Sequence, residues 1–358
     1  MDEDSGQWPG ALLIKRPRLE EDSAPRNTSS ARYNTSYDSH GSLSHAMRTH
    51  VTRIISWNID VPYPLIGFPR SKKNTKPAPV PQYHDHLRNL LAQHAYPDFL
   101  CLQEVRVRAS DADWLGTLNG VVNGSDSGPK YKAYPSLNQA TSGQRYFGVI
   151  TYVKRAENEQ VQAAYGVDWD TEGRVMVLEM KGGWALVNVY AVNGSDRQWK
   201  DSSKQGRDSE SMTWHERKRE FNWLLLQECR KIQAKGLRLV IVGDFNISLA
   251  EADCYPELRT GYPHAKAREE FTKTFIPGAD VVDIYRELHG DRRAFSWFAK
   301  GVPQGEDCSR VDYALVESGL KDRVAMMEYL DRPEERAHSD HAPWVMDMRG
   351  MDSVLKHR

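Results

Sequence analysis

Leu239-Val240-Ile241-Val242-Gly243-Asp244-Phe245-Asn246 is the stretch on which the fold turns. Its four leading apolar residues read as a buried strand, and Gly243-Asp244 marks the strand's end. Just upstream, Phe221, Leu224, Leu225, Cys229 and Ile232 recur at helical spacing. Thr213-Trp-His-Glu216 has the form of a capping box that opens this helix, and Gly236 suits its close. A helix feeding a buried strand is a building unit of α/β proteins.

The pattern repeats outward. Upstream, Arg174–Met180 and Trp184–Tyr190 read as strands joined across Gly182-Gly183, a hairpin signal. Tyr146–Val153, Asp98–Leu102 and Val51–Trp57 are further strands. His84–Ala95 is predicted as a helix, with Leu87, Leu90, Leu91 and His94 on one face. Downstream, strands are expected at Ala294–Phe298, Val311–Val316 and Ala342–Met348, while 61–83 and 191–212 read as loops. The alternation predicts a mixed α/β sandwich, and no fixed-period repeat points to a solenoid or propeller.

Chemistry should concentrate where these strands end. Ser56-Trp-Asn-Ile-Asp60, Leu102-Gln-Glu104, Val189-Tyr-Ala-Val-Asn193, Gly243-Asp-Phe-Asn246 and Ser339-Asp-His341 all place polar groups there. Arg310-Val-Asp-Tyr313 sets a carboxylate inside an apolar strand. A buried carboxylate needs a partner, and an Asp–His pair supplies one, because the acid orients the imidazole and favours its charged form. Asp and Asn at a strand end more often make turns, so each motif alone is weak. Together they offer hard oxygen ligands, which suit Mg²⁺ or Mn²⁺ better than zinc, and donors around an anion. That is the equipment of a phosphoester hydrolysis site.

On these segments, with Asp98-Phe-Leu-Cys-Leu-Gln-Glu104 and Glu172-Gly-Arg-Val175, the chain resembles the endonuclease/exonuclease/phosphatase superfamily from about Val51 to Met348. Within it, the chain is most similar to exonuclease III-type apurinic/apyrimidinic endonucleases. The resemblance implies a four-layer α/β sandwich, two central mixed sheets flanked by helices, with the active site at one edge. It implies Glu104 as principal metal ligand, Asp60 and Asp340 as further metal carboxylates, directly or through water, and Asn58 in support. Asp244 would position the attacking water. Asn246 and His341 would hold the phosphate, Asp312 would orient His341, and Tyr190 and Asn193 would be phosphate contacts. The implied activity is Mg²⁺-dependent hydrolysis 5′ of abasic sites in duplex DNA, with 3′-to-5′ exonuclease or 3′-end cleaning. Tyrosyl-DNA phosphodiesterases share part of the pattern, but usually carry a His where this chain has Tyr190-Ala-Val-Asn193. Another phosphodiesterase of the same superfamily and a catalytically silent DNA-binding module are the remaining alternatives.

The chain departs from that pattern at three points. Val61-Pro62 follows Asp60 in place of Gly, Ser309 precedes Arg310-Val-Asp312 where a Trp often stands, and Gly261-Tyr-Pro263 only partly matches. Phe295, Trp297 and Phe298 are the aromatics available to the sugar pocket. Arg70, Lys72, Lys73 and Lys76 follow the first strand as candidate phosphate contacts, with Arg197, Lys200, Lys204, His264, Lys266 and Arg268 elsewhere. Trp199 and Tyr262 are candidate groove wedges.

The 358 residues carry 48 Lys and Arg against 49 Asp and Glu, so any basic surface must be local. No run of about 18 apolar residues exists to span a membrane. The opening Met-Asp-Glu-Asp reads as neither secretory signal nor transit peptide. Residues 1–50 read as a disordered tail with Lys15-Arg-Pro-Arg18 as a nuclear import signal, 51–350 as the catalytic domain and 351–358 as a short tail. The four scattered cysteines fit a reducing compartment. A monomer is the family's default state.

Overall fold

The computed structural model describes residues 50–67, 80–139, 147–199, 212–352 and 354. The import-signal cluster and Arg70, Lys72, Lys73, Lys76, Lys200 and Lys204 lie outside these residues.

Two six-stranded mixed sheets form the centre. The first runs Val324–Tyr329, Trp344–Arg349, Val51–Asn58, Phe99–Gln103, Gly148–Lys154, Tyr131–Leu137. The second runs Val281–Asp283, Asp312–Glu317, Arg238–Asp244, Trp184–Tyr190, Val175–Met180, Val161–Gly166. Each has one parallel pair, Val51–Asn58 with Phe99–Gln103 and Trp184–Tyr190 with Arg238–Asp244.

Strand periodicity of two explains the layering. Val240 and Val242 face the other sheet, joining Ile54, Phe99, Cys101, Leu186, Ala314 and Met346 in one core. Their neighbours Leu239 and Ile241 face outward onto Phe221, Leu225, Cys229 and Ile232 of the Trp214–Ala234 helix. Likewise Ile55, Trp57, Leu100 and Leu102 face outward onto Leu87, Leu90 and Leu91 of the His86–Gln93 helix and Leu118, Val121 and Val122 of the Ala112–Asn123 helix. Three apolar seams between four layers give the sandwich that the resemblance implies. The Thr213–Glu216 capping box is formed. Met351 and Val354 add to the inter-sheet core.

Three expectations need correction. Within the 61–83 segment, read as a loop, Tyr63–Ile66 is helical. Only Trp297–Phe298 of the 294–298 segment is strand, because it pairs with the two residues Cys308–Ser309. The 191–212 segment is not simply loop, since Gln198–Trp199 pairs with Met212–Thr213. Strands at Tyr131–Leu137, Val161–Gly166, Val281–Asp283 and Val324–Tyr329 were not foreseen. No helix among the described residues is long and apolar enough to cross a membrane.

Candidate active site

At one end of the inter-sheet seam the inward-facing positions turn from apolar to polar. Following Ile54, the same parity gives Ser56 and Asn58. Following Phe99 and Cys101 it gives Gln103. After Leu186 come Asn188 and Tyr190, and after Val242 comes Asp244. Gln103 Nε2 donates to Ser56 Oγ at 2.9 Å and, across the sandwich, to Asn188 Oδ1 at 2.8 Å. Asn188 Nδ2 in turn donates to Thr151 Oγ1 at 3.2 Å. This buried network, largely satisfied, ties the sheets together beneath the site and limits their relative movement.

Above it, a cleft of about 310 Å³ is lined by Asp60, Glu104, Tyr190, Asn193, Asp244, Asn246, Trp297, Asp340 and His341, among others. Nine of the expected site residues therefore meet in one place. Asp312 and Asn58 lie just beneath. His341 Nδ1 donates to Asp312 Oδ2 at 2.8 Å, and Asp312 is itself placed by the Ser296 hydroxyl, which accepts from the Val311 and Asp312 N–H groups. Trp57 Nε1 donates to the His341 carbonyl at 3.0 Å. The ring is thus held by Asp312 and the backbone of His341 by Trp57, with Nε2 4.0 Å from Asp244 Oδ2.

Burial alone would lower the His341 pKa. Asp312, with Asp244 and Asp340, more than offsets this and raises it to about 10. The ring is an imidazolium at neutral pH. Asp244 moves the other way for a carboxylate: burial, then the Asp312 charge, push it up to about 7. Its oxygens accept from Asn58 Nδ2 at 3.0 Å and the Asn246 N–H at 2.8 Å. Burial, then the Glu104 charge, raise the Tyr190 phenol well above its ordinary value, so it stays a neutral donor. Arg174 stacks on that ring, 5.0 Å from its centroid, and pairs with Glu172 at 2.6 Å. This is what Glu172-Gly-Arg does here.

Asn246 departs in detail from its expected role. Its Nδ2 donates to the Ala191 carbonyl at 3.0 Å and lies 3.3 Å from Asp244 Oδ2. Both amide protons therefore brace Asp244 and the Ala191 turn, and none is left for a phosphate. Of the three candidate aromatics, Trp297 lines the cleft, while Phe298 packs with Phe295, Cys308 and Ala342. Ser309, which pairs with Trp297 in the same small sheet, and Val311 also line the cleft, so no aromatic ring stands at the position before Arg310. Trp199 is no wedge, because it packs edge-on to Trp214 and under the Arg217 guanidinium. Tyr262 is 76% exposed. His264 and Arg268 line the cleft, whereas Lys266 pairs with Glu269 and Glu270.

Asp60, Glu104 and Asp340 provide only oxygen donors, which fits a hard divalent cation. The tightest acid–His group near the cleft is a different one, Asp244, Asp312 and His341, with ligand atoms within 4.8 Å of one another. We assign it no metal, since its imidazole is protonated and already ion-paired. Cations separate the other three carboxylates. Arg106 Nη2 donates to Glu104 Oε1 at 2.5 Å and Asp60 Oδ1 at 3.2 Å. Lys300 Nζ donates to Asp60 Oδ2 and lies 3.8 Å from Asp340 Oδ2.

Arg106, Lys300 and Lys218 escaped the sequence reading. Lys218 is 3% exposed, and its Nζ donates to the Asn246 carbonyl at 2.6 Å. Burial lowers its pKa to about 7. Arg106 could have been found from its position two residues beyond Glu104. Lys300 carried no signal, because its role depends on where the 297–309 hairpin folds.

The family model described as Endonuclease/Exonuclease/phosphatase family matches residues 55–328. No curated protein sequence matches the chain. Among solved structures, a 3′ phosphatase from Neisseria bound to product DNA hairpin aligns with TM-score 0.57 and 22% identity over 83% of this chain and 99% of that one. The AP endonuclease LMAP from Leishmania major gives 0.57 and 21% over 84% and 88%. The catalytic domain of APE2 from Xenopus laevis gives 0.58 and 19% over 83% and 93%. These likenesses are likenesses of fold.

Proposed function

The chain belongs to the endonuclease/exonuclease/phosphatase family, and from that premise we propose that it is a Mg²⁺-dependent DNA repair nuclease of the exonuclease III type. It hydrolyses phosphodiester bonds 5′ of abasic sites and cleans or trims 3′ ends. The observation that carries this reading is the Asp312-held imidazolium of His341 facing Asp60, Glu104 and Asp340 across one open cleft.

In the proposed reaction, water attacks phosphorus and the 3′ oxygen leaves with its charge. His341 Nε2, whose proton has no acceptor within hydrogen-bond distance among the described residues, donates to a non-bridging phosphate oxygen. Asp244, braced by Asn58 and Asn246, accepts from the attacking water. The neutral Tyr190 hydroxyl and Asn193 meet the same phosphate. Trp297 stacks on the sugar or base exposed at the break. Glu104 would be the principal ligand of the divalent ion, with Asp60 and Asp340 supporting it directly or through water, and the ion would supply Lewis-acid stabilisation of the departing charge. Mn²⁺ would substitute. DNA is gripped through its backbone, with Arg70, Lys72 and Lys73 as candidate contacts.

Ser309 beside Trp297, where the resemblance would place a second aromatic, supports a second emphasis, on 3′ ends. A sugar pocket without that second ring would hold an abasic residue less selectively. Purified protein should be tested with Mg²⁺ on abasic duplex, recessed and 3′-phosphorylated ends, 5′-tyrosyl DNA and RNA. Abasic duplex or 3′ ends are expected to be cut fastest. Glu104→Gln and His341→Asn should each lose at least ~10²-fold, the scale for removing a central electrostatic group. Binding of abasic duplex without cleavage would favour a silent module, and full activity in Glu104→Gln would overturn the assignment.

A further inference from the structure

Three carboxylates and two cations share the acidic side of the cleft. Asp60 has both oxygens engaged, Oδ1 by Arg106 and Oδ2 by Lys300. Glu104 gives one oxygen to Arg106, and its Oε2 has no protein partner among the described residues. Lys300 also reaches toward Asp340 Oδ2, at 3.8 Å. The position of Lys300 is built rather than incidental. It follows the Trp297–Phe298 strand, whose Phe298 N–H donates to the Asp340 carbonyl at 2.8 Å, and the next N–H, of Ala299, donates to the Asp307 carbonyl at 2.9 Å. The hairpin that carries the cleft tryptophan is thereby fastened to Asp340, and it delivers an ammonium between Asp340 and Asp60.

We propose that Lys300 is the resident second cation of this site, so that the protein takes one divalent ion, on the Glu104 side. This rests on the metal-dependent reading above. A second divalent ion would need the Asp60 and Asp340 oxygens that Lys300 holds, and would meet a like charge at contact distance. An ion at Glu104 faces the Arg106 guanidinium at Oε1, but Oε2 has no partner among the described residues, and Lys300 contacts Asp60 and Asp340 rather than Glu104. Once an ion is bound, the ammonium keeps Asp60 and Asp340 compensated and presents remaining N–H donors to the cleft, where a phosphate would sit.

The test is a Mn²⁺ titration of the full chain without DNA, read by calorimetry and by the paramagnetic signal of free Mn²⁺. Wild type should bind one equivalent. Lys300→Met should bind a second equivalent, or bind the first about tenfold more tightly, as expected when a nearby competing charge is removed. Lys300→Arg should behave as wild type. In chelator, Lys300→Met should melt below wild type, and Mn²⁺ should close the gap. The Lys300 side chain is 58% exposed, so the substitution leaves the core intact. Two equivalents on wild type, or superimposable wild-type and Lys300→Met titrations, would overturn the proposal while leaving the nuclease reading standing. Absence of Mn²⁺ binding would overturn both. Failure to cut DNA with one Mn²⁺ bound would count against the nuclease reading alone.

Discussion

Asp60, Glu104 and Asn246 share a backbone feature that their side chains do not advertise. Each has φ between 53° and 57°, in the left-handed region. Non-glycine residues pay roughly 1–3 kcal/mol there, and such strain collects at functional sites. Each lies just past a strand end, where the chain must turn sharply to aim a polar group into the cleft rather than along the sheet. His341 is governed by charge instead. Its folded pKa, about 10, stands above its ordinary 6.5. The Asp312–His341 pair therefore stabilises the fold fully below pH about 6.5, and that contribution is lost as pH rises through about 10. In wild-type protein the His341 ring resonances should not titrate between pH 6 and 8.5. In Asp312→Asn the main cause of the rise is gone, and the ring should titrate inside that window in NMR spectra. Titration of the wild-type ring near 6.5 would show that the pair is not formed.

Gly243 joins the residue scale to the element. It has φ of 127°, and a Cβ there would lie 2.0 Å from the Val189 carbonyl oxygen in the neighbouring strand. That close approach sets the parallel pairing of Arg238–Asp244 with Trp184–Tyr190, and so the position of Asp244 beside Tyr190. Gly243→Ala should cost roughly 2–4 kcal/mol, since it adds both strain and a clash with backbone. Urea unfolding would measure it, and an unchanged midpoint would mean that the strand pair absorbs a methyl group freely. The capping box of the Trp214–Ala234 helix makes a smaller contribution. Thr213→Ala should cost about 1 kcal/mol by the same measurement, with activity retained because Thr213 lies outside the cleft.

Over the whole molecule the formal charge is −1, so under the proposed function any attraction to DNA would come from local basic surface. Raising salt from 50 to 200 mM should weaken binding steeply in a fluorescence titration, with log K falling linearly in log salt. Replacing Arg70, Lys72 and Lys73 by Ser together should reduce the slope by about 3 if each neutralises one phosphate. An unaltered slope would remove that loop from the interface.

Local periodicity made most of the sandwich legible. The strands that lead into the site are short apolar runs that stop at polar residues, and side-chain alternation alone sends Asn58, Gln103, Tyr190 and Asp244 to the inner face. The strands that escaped notice are the outer ones or the less apolar ones, such as Tyr131–Leu137 with its Lys132 and Pro135, where partial exposure weakens the pattern. The order of residues along the chain determined the family, the layered architecture and the identity of the acids, amides and imidazole. Only the tertiary structure decided that Arg106 and Lys300 separate the carboxylates of Asp60, Glu104 and Asp340, that Lys218 is buried behind Asn246, and that Asn246 directs its amide to Asp244. Those outcomes depend on side chains brought together from segments up to 240 residues apart, and no local spacing encodes such meetings.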